Sequence, residues 1–483
     1  MLVSAVTPTK AGEGKTATTI GLVDALRARA VRAVAALRQP SVAPTLGNKG
    51  GGAGGGRARL EPFARINLGL TGDLDAIAAA HNLLAALCDH ALHFDTGVLD
   101  PRRIDLPRVL DVGDRALRSI VVGLGGATNG MARESRFDVT AASEVTAIVA
   151  LARDYADLKR RLSSVRVGRS PSGSIVTARD LRATSAMSVL LRDAMLPNLV
   201  RTAEGSPALV HGAPFGNIAH GCSSVASLRF ALARADVVVT EAGFGFDLGG
   251  EKYLDIVARD PALWPDALVM VTTVRASKTN GVDNLRHHLE AARRFSLDPM
   301  VALNVFEGDD EADLRMVEAA CQRFGARCAR ISSYAQGAEG GLALADLVLD
   351  HLAKATERPS PRWSYDENDS LPHKIETIAR TIYGASAVDY SPRALRDLQE
   401  ATEHGLASAL VCMAKTHLSL SADPDAGGAP RSHVLPVRAV RVAAGAGYVV
   451  PLCGEIMTMP GLGRTPALVD LDLDDAGNVV GVH

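Results

Sequence analysis

Leu2-Val3-Ser4-Ala5-Val6 runs directly into Thr7-Pro8-Thr9-Lys10-Ala11-Gly12-Glu13-Gly14-Lys15-Thr16-Ala17-Thr18-Thr19. An apolar strand, a glycine-bearing turn, Lys-Thr and then a helix make a phosphate-binding loop. The backbone N–H groups of such a turn, here Thr9, Lys10, Ala11, Gly12, Glu13 and Gly14, cradle nucleotide phosphates. Lys15 offsets charge on the β and γ oxygens, and the Thr16 hydroxyl is placed to ligate Mg²⁺. The usual pattern opens with glycine six residues before the lysine, and Thr9 holds that place. A glycine turn with no nucleotide would explain Gly12 and Gly14 but not Lys-Thr at the helix start. The helix that follows is expected to bury Leu22, Val23, Leu26 and Ala30.

Similar apolar runs recur at Leu2–Val6, Val34–Leu37, Ser119–Val122, Ala208–His211, Val237–Thr240, Ala267–Val274 and Val301–Val305, with helical stretches between them. Short, nearly continuous apolar runs suit strands buried on both faces of a mostly parallel sheet. The expected fold is α/β: a P-loop NTPase-like, mostly parallel sheet flanked by helices, followed by smaller α/β and α+β domains. Several runs end in turn chemistry (Gly123-Leu124-Gly125-Gly126, Gly212-Ala213-Pro214, Ala242-Gly243). These turns are expected on one rim with the phosphate loop, at the carboxyl ends of the strands where ligands bind. A polar, proline-bearing stretch at 356–371 reads as a linker. Beyond it come helical segments over Ile375–Ile382 and Arg393–Glu403 and strand-like runs over Arg438–Val442 and Gly447–Leu452. The expected division is 1–290 for nucleotide binding, 291–365 for a second α/β domain, and 366–483 for an α+β domain.

A chain of 483 residues with formal net charge −2 carries no general attraction for nucleic acid or membrane surfaces. No apolar stretch approaches the ~20 residues of a membrane span, and a strand at residue 2 leaves no room for a signal peptide, so a cytoplasmic protein is expected. Six cysteines form no Cys-x-x-Cys pair, and thirteen histidines show no zinc-ligand spacing. Cys222 after His220-Gly221 resembles a nucleophile but reads better as a small buried residue.

Seven glycines fall within Gly47-Asn48-Lys49-Gly50-Gly51-Gly52-Ala53-Gly54-Gly55-Gly56, too many for a strand or helix. A linker is one reading. A loop that brings its backbone and Lys49 close to an anion is the other. Leu37-Arg38-Gln39-Pro40 lies just upstream, and Arg38 at a strand end suits a carboxylate or phosphoryl group.

These motifs resemble formate–tetrahydrofolate ligases from residue 2 to 483. The matches include Leu-Arg-x-Pro-Ser at 37–41, the glycine loop, and Ile-Asn-Leu at 66–68 with Thr-Gly-Asp at 71–73. They continue with Ala-His-Asn-Leu-Leu-Ala-Ala at 80–86, Pro-Phe-x-Asn-Ile-Ala-His-Gly-Cys at 214–222 and Thr-Glu-Ala-Gly-Phe-Gly-x-Asp-Leu-Gly at 240–249. Val-Arg-Ala at 274–276, Met-Ala-Lys-Thr at 413–416 and Met-Thr-Met-Pro-Gly-Leu at 457–462 close the set. The resemblance implies an ATP-dependent ligase in which formate attacks the γ-phosphate, giving formyl phosphate and ADP, and the N10 amine of tetrahydrofolate then takes the formyl group. It implies ATP, Mg²⁺, tetrahydrofolate as substrate, a monovalent cation, and a homo-oligomer, tetramer or dimer. Catalytic roles fall to Lys15, Arg38, Asp73 and Glu241. Asp73 and Glu241 would ligate metal through water or take the amine proton, with capping or salt bridging as the plainer reading. Substrate contacts fall to Arg38, Gln39, Lys49, Gly50 and Gly51, and the pterin to Phe306 and Tyr334.

The departures concentrate on the substrate side. Gln39 stands where the family usually has Glu, Arg57 where it has Tyr, and Tyr334 where it has the second, pterin-stacking Trp. The segment after Lys278-Thr279-Asn280-Gly281 is shorter than usual, and the family's residues before the first strand are missing. Two alternatives follow: a paralogous acyl-phosphate ligase for another acid or amine, and a P-loop ATPase switch, suggested by Lys10 together with Lys15.

Overall fold

The computed structural model describes residues 1–47 and 52–482. Its centre is one ten-stranded sheet. The strands are β1 (Leu2–Ala5), β2 (Ala33–Leu37), β3 (Gly54–Gly55), β4 (Ala58–Glu61), β5 (Asn198–Thr202), β6 (Pro207–Val210), β7 (Val237–Glu241), β8 (Leu268–Thr272), β9 (Pro299–Asn304) and β10 (Cys328–Ile331). Their spatial order is β10-β9-β8-β1-β7-β2-β6-β5-β4-β3. From β10 to β6 every pairing is parallel; β5, β4 and β3 close that edge antiparallel.

The apolar runs form strands because alternate side chains enter two different cores. Leu2, Leu268, Met270, Val301 and Leu303 pack on one face. Val3, Ala5, Val269, Val271 and Ala302 pack on the other, under α1 (Lys15–Ala28). Ile20, Leu22, Val23 and Leu26 of α1 are fully buried there. Ala30 is not: the helix has ended, and Ala30 is exposed in a left-handed turn with φ 62°.

Two further expectations need correction. Ser119–Val122 is no buried strand. Ile120–Val122 pairs with Arg133–Ser135 in an outlying hairpin, and Val121 is exposed. A three-residue apolar run cannot signal how far it is covered, and here Ile120 and Val122 are only half-buried. Its Gly123–Gly126 turn therefore does not end a strand of the main sheet. Residues 355–370 are irregular as expected, yet Tyr365 is buried and its hydroxyl accepts from the Val411 N–H at 3.0 Å. This segment packs rather than merely linking.

The sheet runs across position 291, since β9 and β10 continue the strand array that holds β1. Helices α2 (Asp73–His93), α3 (Glu144–Leu151) and α4 (Val274–Arg294) flank it. After residue 366 come a helix over Leu371–Thr381, α5 (Pro392–Ala401) and a small sheet of β11 (Leu410–Val411), β12 (Ala439–Ala443) and β13 (Tyr448–Leu452). Ile375, Val411 and Tyr448 join the same apolar cluster as Leu2 and Leu268. No helix among the described residues is long and apolar enough to cross a membrane.

Glu144 ties α3 to the β12–β13 turn. One carboxyl oxygen accepts from the N–H groups of Gly445 (2.6 Å) and Ala446 (3.1 Å). Burial pushes its pKa up to about 7 despite those bonds. The native state therefore holds this proton more tightly than the unfolded chain. The associated stability is fully present below about pH 4.3 and is lost as pH rises through 7. Glu144→Gln should gain on the parent over that window, by on the order of 2–3 kcal/mol at pH 8. Urea midpoints at pH 4.5 and 8 check this; an unchanged difference between the two proteins would contradict it.

Candidate functional site

The carboxyl ends of β1, β7, β2, β8 and β9 converge on one rim. β1 and its neighbour β7 send the chain in opposite directions, β1 through α1 to β2 and β7 to β8, which opens a crevice between them. The phosphate loop fills that place. Gly12 and Gly14 have φ of 76° and 78°, and a Cβ at Gly14 would collide with the Asn304 side-chain amide. Glycine is required there both by conformation and by space.

The loop is braced from both sides. Glu13 is buried and accepts from the Thr9 N–H at 2.7 Å and from Thr273 Oγ1 at 2.5 Å. Asn304 Nδ2 donates to the Glu13 carbonyl at 3.1 Å. Arg275 of α4 donates to the Gly12 carbonyl (2.7 Å) and to Thr9 Oγ1 (3.2 Å). The Thr7 N–H donates to His288 Nε2 at 2.9 Å and to Asn284 Oδ1 at 3.2 Å. Burial pushes the His288 ring down to about 3, so Nε2 is a neutral acceptor at any working pH. Lys10 and Ala11 form the exposed tip of the turn.

Lys15 opens α1, half-buried. Thr16 Oγ1 donates to the Glu241 carboxylate at 2.9 and 3.1 Å. Glu241 ends β7, and its partner on β1 is Val3, so strand register sets this pair. A hydroxyl and a carboxylate side by side are a hard oxygen donor set, the kind Mg²⁺ takes with its waters.

Arg38 leaves β2 toward the same rim. Its Nη1 donates to the Pro214 carbonyl at 3.4 Å, and its Nη2 packs over Gly243. Its Nε is buried without a hydrogen-bond partner among the described residues. A buried, unmatched guanidinium donor costs free energy unless something accepts from it. Gln39 is buried and turned away from this donor: its N–H donates to the Gly212 carbonyl (2.8 Å) and its side chain to the Gly69 carbonyl (3.4 Å).

Asp73 sits in the first turn of α2. It accepts from Thr71 Oγ1 at 3.1 Å and Asn198 Nδ2 at 2.8 Å. Burial raises its pKa against those bonds and the charge of His211. These contacts fit the structural reading of Asp73. Cys222 is likewise structural in character, since burial pushes its thiol up to about 12. Lys49, Gly50 and Gly51 lie outside the described residues.

Phe306 and Tyr334 follow the ends of the paired strands β9 and β10 and are 37% and 56% exposed. The Arg275 guanidinium lies 5.2 Å from the Phe306 ring centre. The Tyr334 ring packs on Gly55, and its carbonyl accepts from the Arg57 N–H at 2.8 Å. Neither aromatic lines the nearby cavity of about 970 Å³. That cavity is walled by Gly47, Phe215, Asn217 and Lys415, and by Phe244 and His417, whose rings stack at 4.6 Å. Lys415 is fully buried and pairs with Asp247 at 2.7 Å.

A family model described as "Formate--tetrahydrofolate ligase" matches residues 1–483. The chain belongs to the formate–tetrahydrofolate ligase family. A protein of that name from Myxococcus xanthus is 48% identical over all of this chain and 91% of its own length. One from Acidiphilium cryptum is 48% identical and one from Symbiobacterium thermophilum 47%, each over 100% of this chain and 90% of its own length. Two stretches of family resemblance prove to hold residues that had no assigned part: Phe244 within 240–249 and Lys415 within 413–416. His417, Asn284, His288 and Asn304 lay outside those stretches, and nothing in their local sequence marked them.

Proposed function

We infer that this chain is an ATP-dependent ligase that joins formate to the N10 amine of tetrahydrofolate. A formate oxygen attacks the γ-phosphorus and ADP leaves. The amine then attacks the carbonyl carbon of formyl phosphate and inorganic phosphate leaves, giving 10-formyltetrahydrofolate. Membership of the ligase family along the whole chain carries this reading. It disfavours both a paralogue for another acid and a nucleotide switch. Measuring ADP release against a panel of small acids, with and without tetrahydrofolate, tests it: formate should lead, and release without any acid should be slight.

In this reading the Thr9–Gly14 amides and Lys15 hold the triphosphate. Thr16 and Glu241 would hold Mg²⁺, which supplies charge neutralisation at the phosphoryl oxygens. Arg38 presents its unmatched Nε and outer nitrogens to the acid and its acyl phosphate. Arg38→Lys should raise the KM for formate and lower kcat, by roughly 10- to 100-fold in kcat/KM, because an ammonium cannot form the fork. Parent-like behaviour at limiting formate would make Arg38 structural.

The pterin is assigned to Phe306 and Tyr334. Tyr334→Trp should tighten tetrahydrofolate several-fold, and Phe306→Ala should weaken it about tenfold, in line with ~0.5–1.5 kcal/mol for an aromatic stack plus lost area. Titration calorimetry reads both. If Phe244→Ala weakens tetrahydrofolate while Phe306→Ala does not, the pterin belongs instead in the Phe244–His417 cavity. A homotetramer or dimer, read by light scattering, and a cytoplasmic location belong to the same proposal.

A further inference from the structure

A second cavity, of about 690 Å³, shares a wall with the first. Phe215 and Asn217 line one, and Ile218 and Ala219 line the other. Its opposite side is built by β12 and α5. Arginines line it from several elements. Arg166 and Arg169 are both taken by Glu400. Among the described residues Arg136 and Arg393 have only loose partners, Asp138 at 3.5 Å and Asp397 at 3.9 Å. Both of those acids are also engaged elsewhere: Asp138 accepts from Thr458 Oγ1 at 2.7 Å, and Asp397 from the Val440 N–H at 2.8 Å.

Arg441 of β12 differs from these. It is half-buried, it faces the cavity, and it has no side-chain hydrogen bond or ion pair among the described residues. Burial works against its charge, as do Arg136 and Arg393, and Asp138 alone favours it. A guanidinium cannot shed its proton to escape. One carboxyl oxygen of Glu144, on the same wall, accepts from the Gly445 and Ala446 amides, and burial favours the neutral form of that carboxyl. The remaining acid, Asp105, is exposed to solvent. Among the described residues no acid forms an ion pair with Arg441, in a space larger than one ion needs.

We propose that this cavity binds a small phosphate-bearing anion, with Arg441 as its two-pronged contact and Arg136 and Arg393 as flanking charges. Guanidinium forks match phosphate oxygens in pairs, and several of them around one cavity favour a polyvalent anion over a lone carboxylate.

The test uses the full chain with its nucleotide site filled by Mg²⁺ and a non-hydrolysable ATP analogue, so that the phosphate loop cannot take the probe. Inorganic phosphate and pyrophosphate are titrated by calorimetry at constant ionic strength. Saturable binding is expected, tighter for pyrophosphate if the natural ligand carries a diphosphate, and at least tenfold weaker in Arg441→Gln. Arg393→Gln, on an exposed part of α5, should weaken binding several-fold with no risk to folding. Arg315→Gln, on a distant surface, should not. No saturable binding to the parent, or equal affinity in the parent and both cavity variants, overturns the proposal.

Discussion

Lys15→Ala should abolish ATP-dependent turnover while the protein stays folded. The side chain lies half-buried at the start of α1, and the loop around it is held by other groups: Glu13 on Thr9 and Thr273, Arg275 on Gly12, His288 on Thr7. Removing the ammonium leaves that bracing in place but takes a pre-positioned cation from the transferring phosphoryl. Such a loss costs roughly 3–5 kcal/mol of transition-state stabilisation, about two to four orders of magnitude in rate. Steady-state ADP release with formate and tetrahydrofolate gives the rate, and far-ultraviolet circular dichroism confirms the fold. A folded variant with parent-like turnover would remove the phosphoryl-transfer role from this loop.

Lys415→Met should be the costliest change to stability. Lys415 and Asp247 are both buried, 2.7 Å apart. Burial works against charge on Asp247, and the Lys415 ammonium outweighs it, holding the carboxyl below the usual range. Deleting the cation strands a buried carboxylate, at a cost of about 3–5 kcal/mol. The paired change Lys415→Met with Asp247→Leu should recover much of it. The sign with pH follows from the depressed native pKa of Asp247. The pair's contribution is full above about pH 4, the ordinary carboxylate value, and is lost as pH falls through the native value. The deficit of Lys415→Met against the parent should therefore be largest near neutrality and narrow in acid. Urea unfolding at pH 7 and well below pH 4 measures it. A constant deficit would mean that the lysine stem's packing, not its charge, is what counts.

The parts of the site legible in the sequence are those whose chemistry is written in neighbouring residues. The phosphate loop needs Gly12, Gly14, Lys15 and Thr16 in one turn, and the chain supplies them in one turn. The parallel strands were legible because burial on both faces forces continuous apolar runs such as Leu268–Thr272. The antiparallel strand Asn198–Thr202 mixes half-buried and exposed positions and was missed for that reason. The same limit misled at Ser119–Val122, where an apolar run is only partly covered. The bracing of the loop was not legible at all. Thr7 and His288 are 281 residues apart, and Phe244 meets His417 only through the packing of the C-terminal segment. Strand register creates such pairs, and no local spacing announces them. Glu241 falls between these cases: its position at a strand end was readable, and its bond to Thr16 was not.

β1 has a consequence for how the chain is made. Its neighbours in the sheet are strands that come more than two hundred residues later: Leu2 pairs with Thr240 on one side and Leu268 on the other. On a ribosome adding ~5–20 residues per second, the phosphate loop waits roughly 10–50 s before either partner strand has been synthesised. Until then β1 is a short apolar segment with both edges open, the kind of nascent-chain segment that chaperones shield. Translation halted before residue 237 leaves a product with the complete glycine-lysine motif and neither neighbouring strand to hold it. A stalled fragment of this protein would carry its most recognisable signature and be unable to grip a nucleotide.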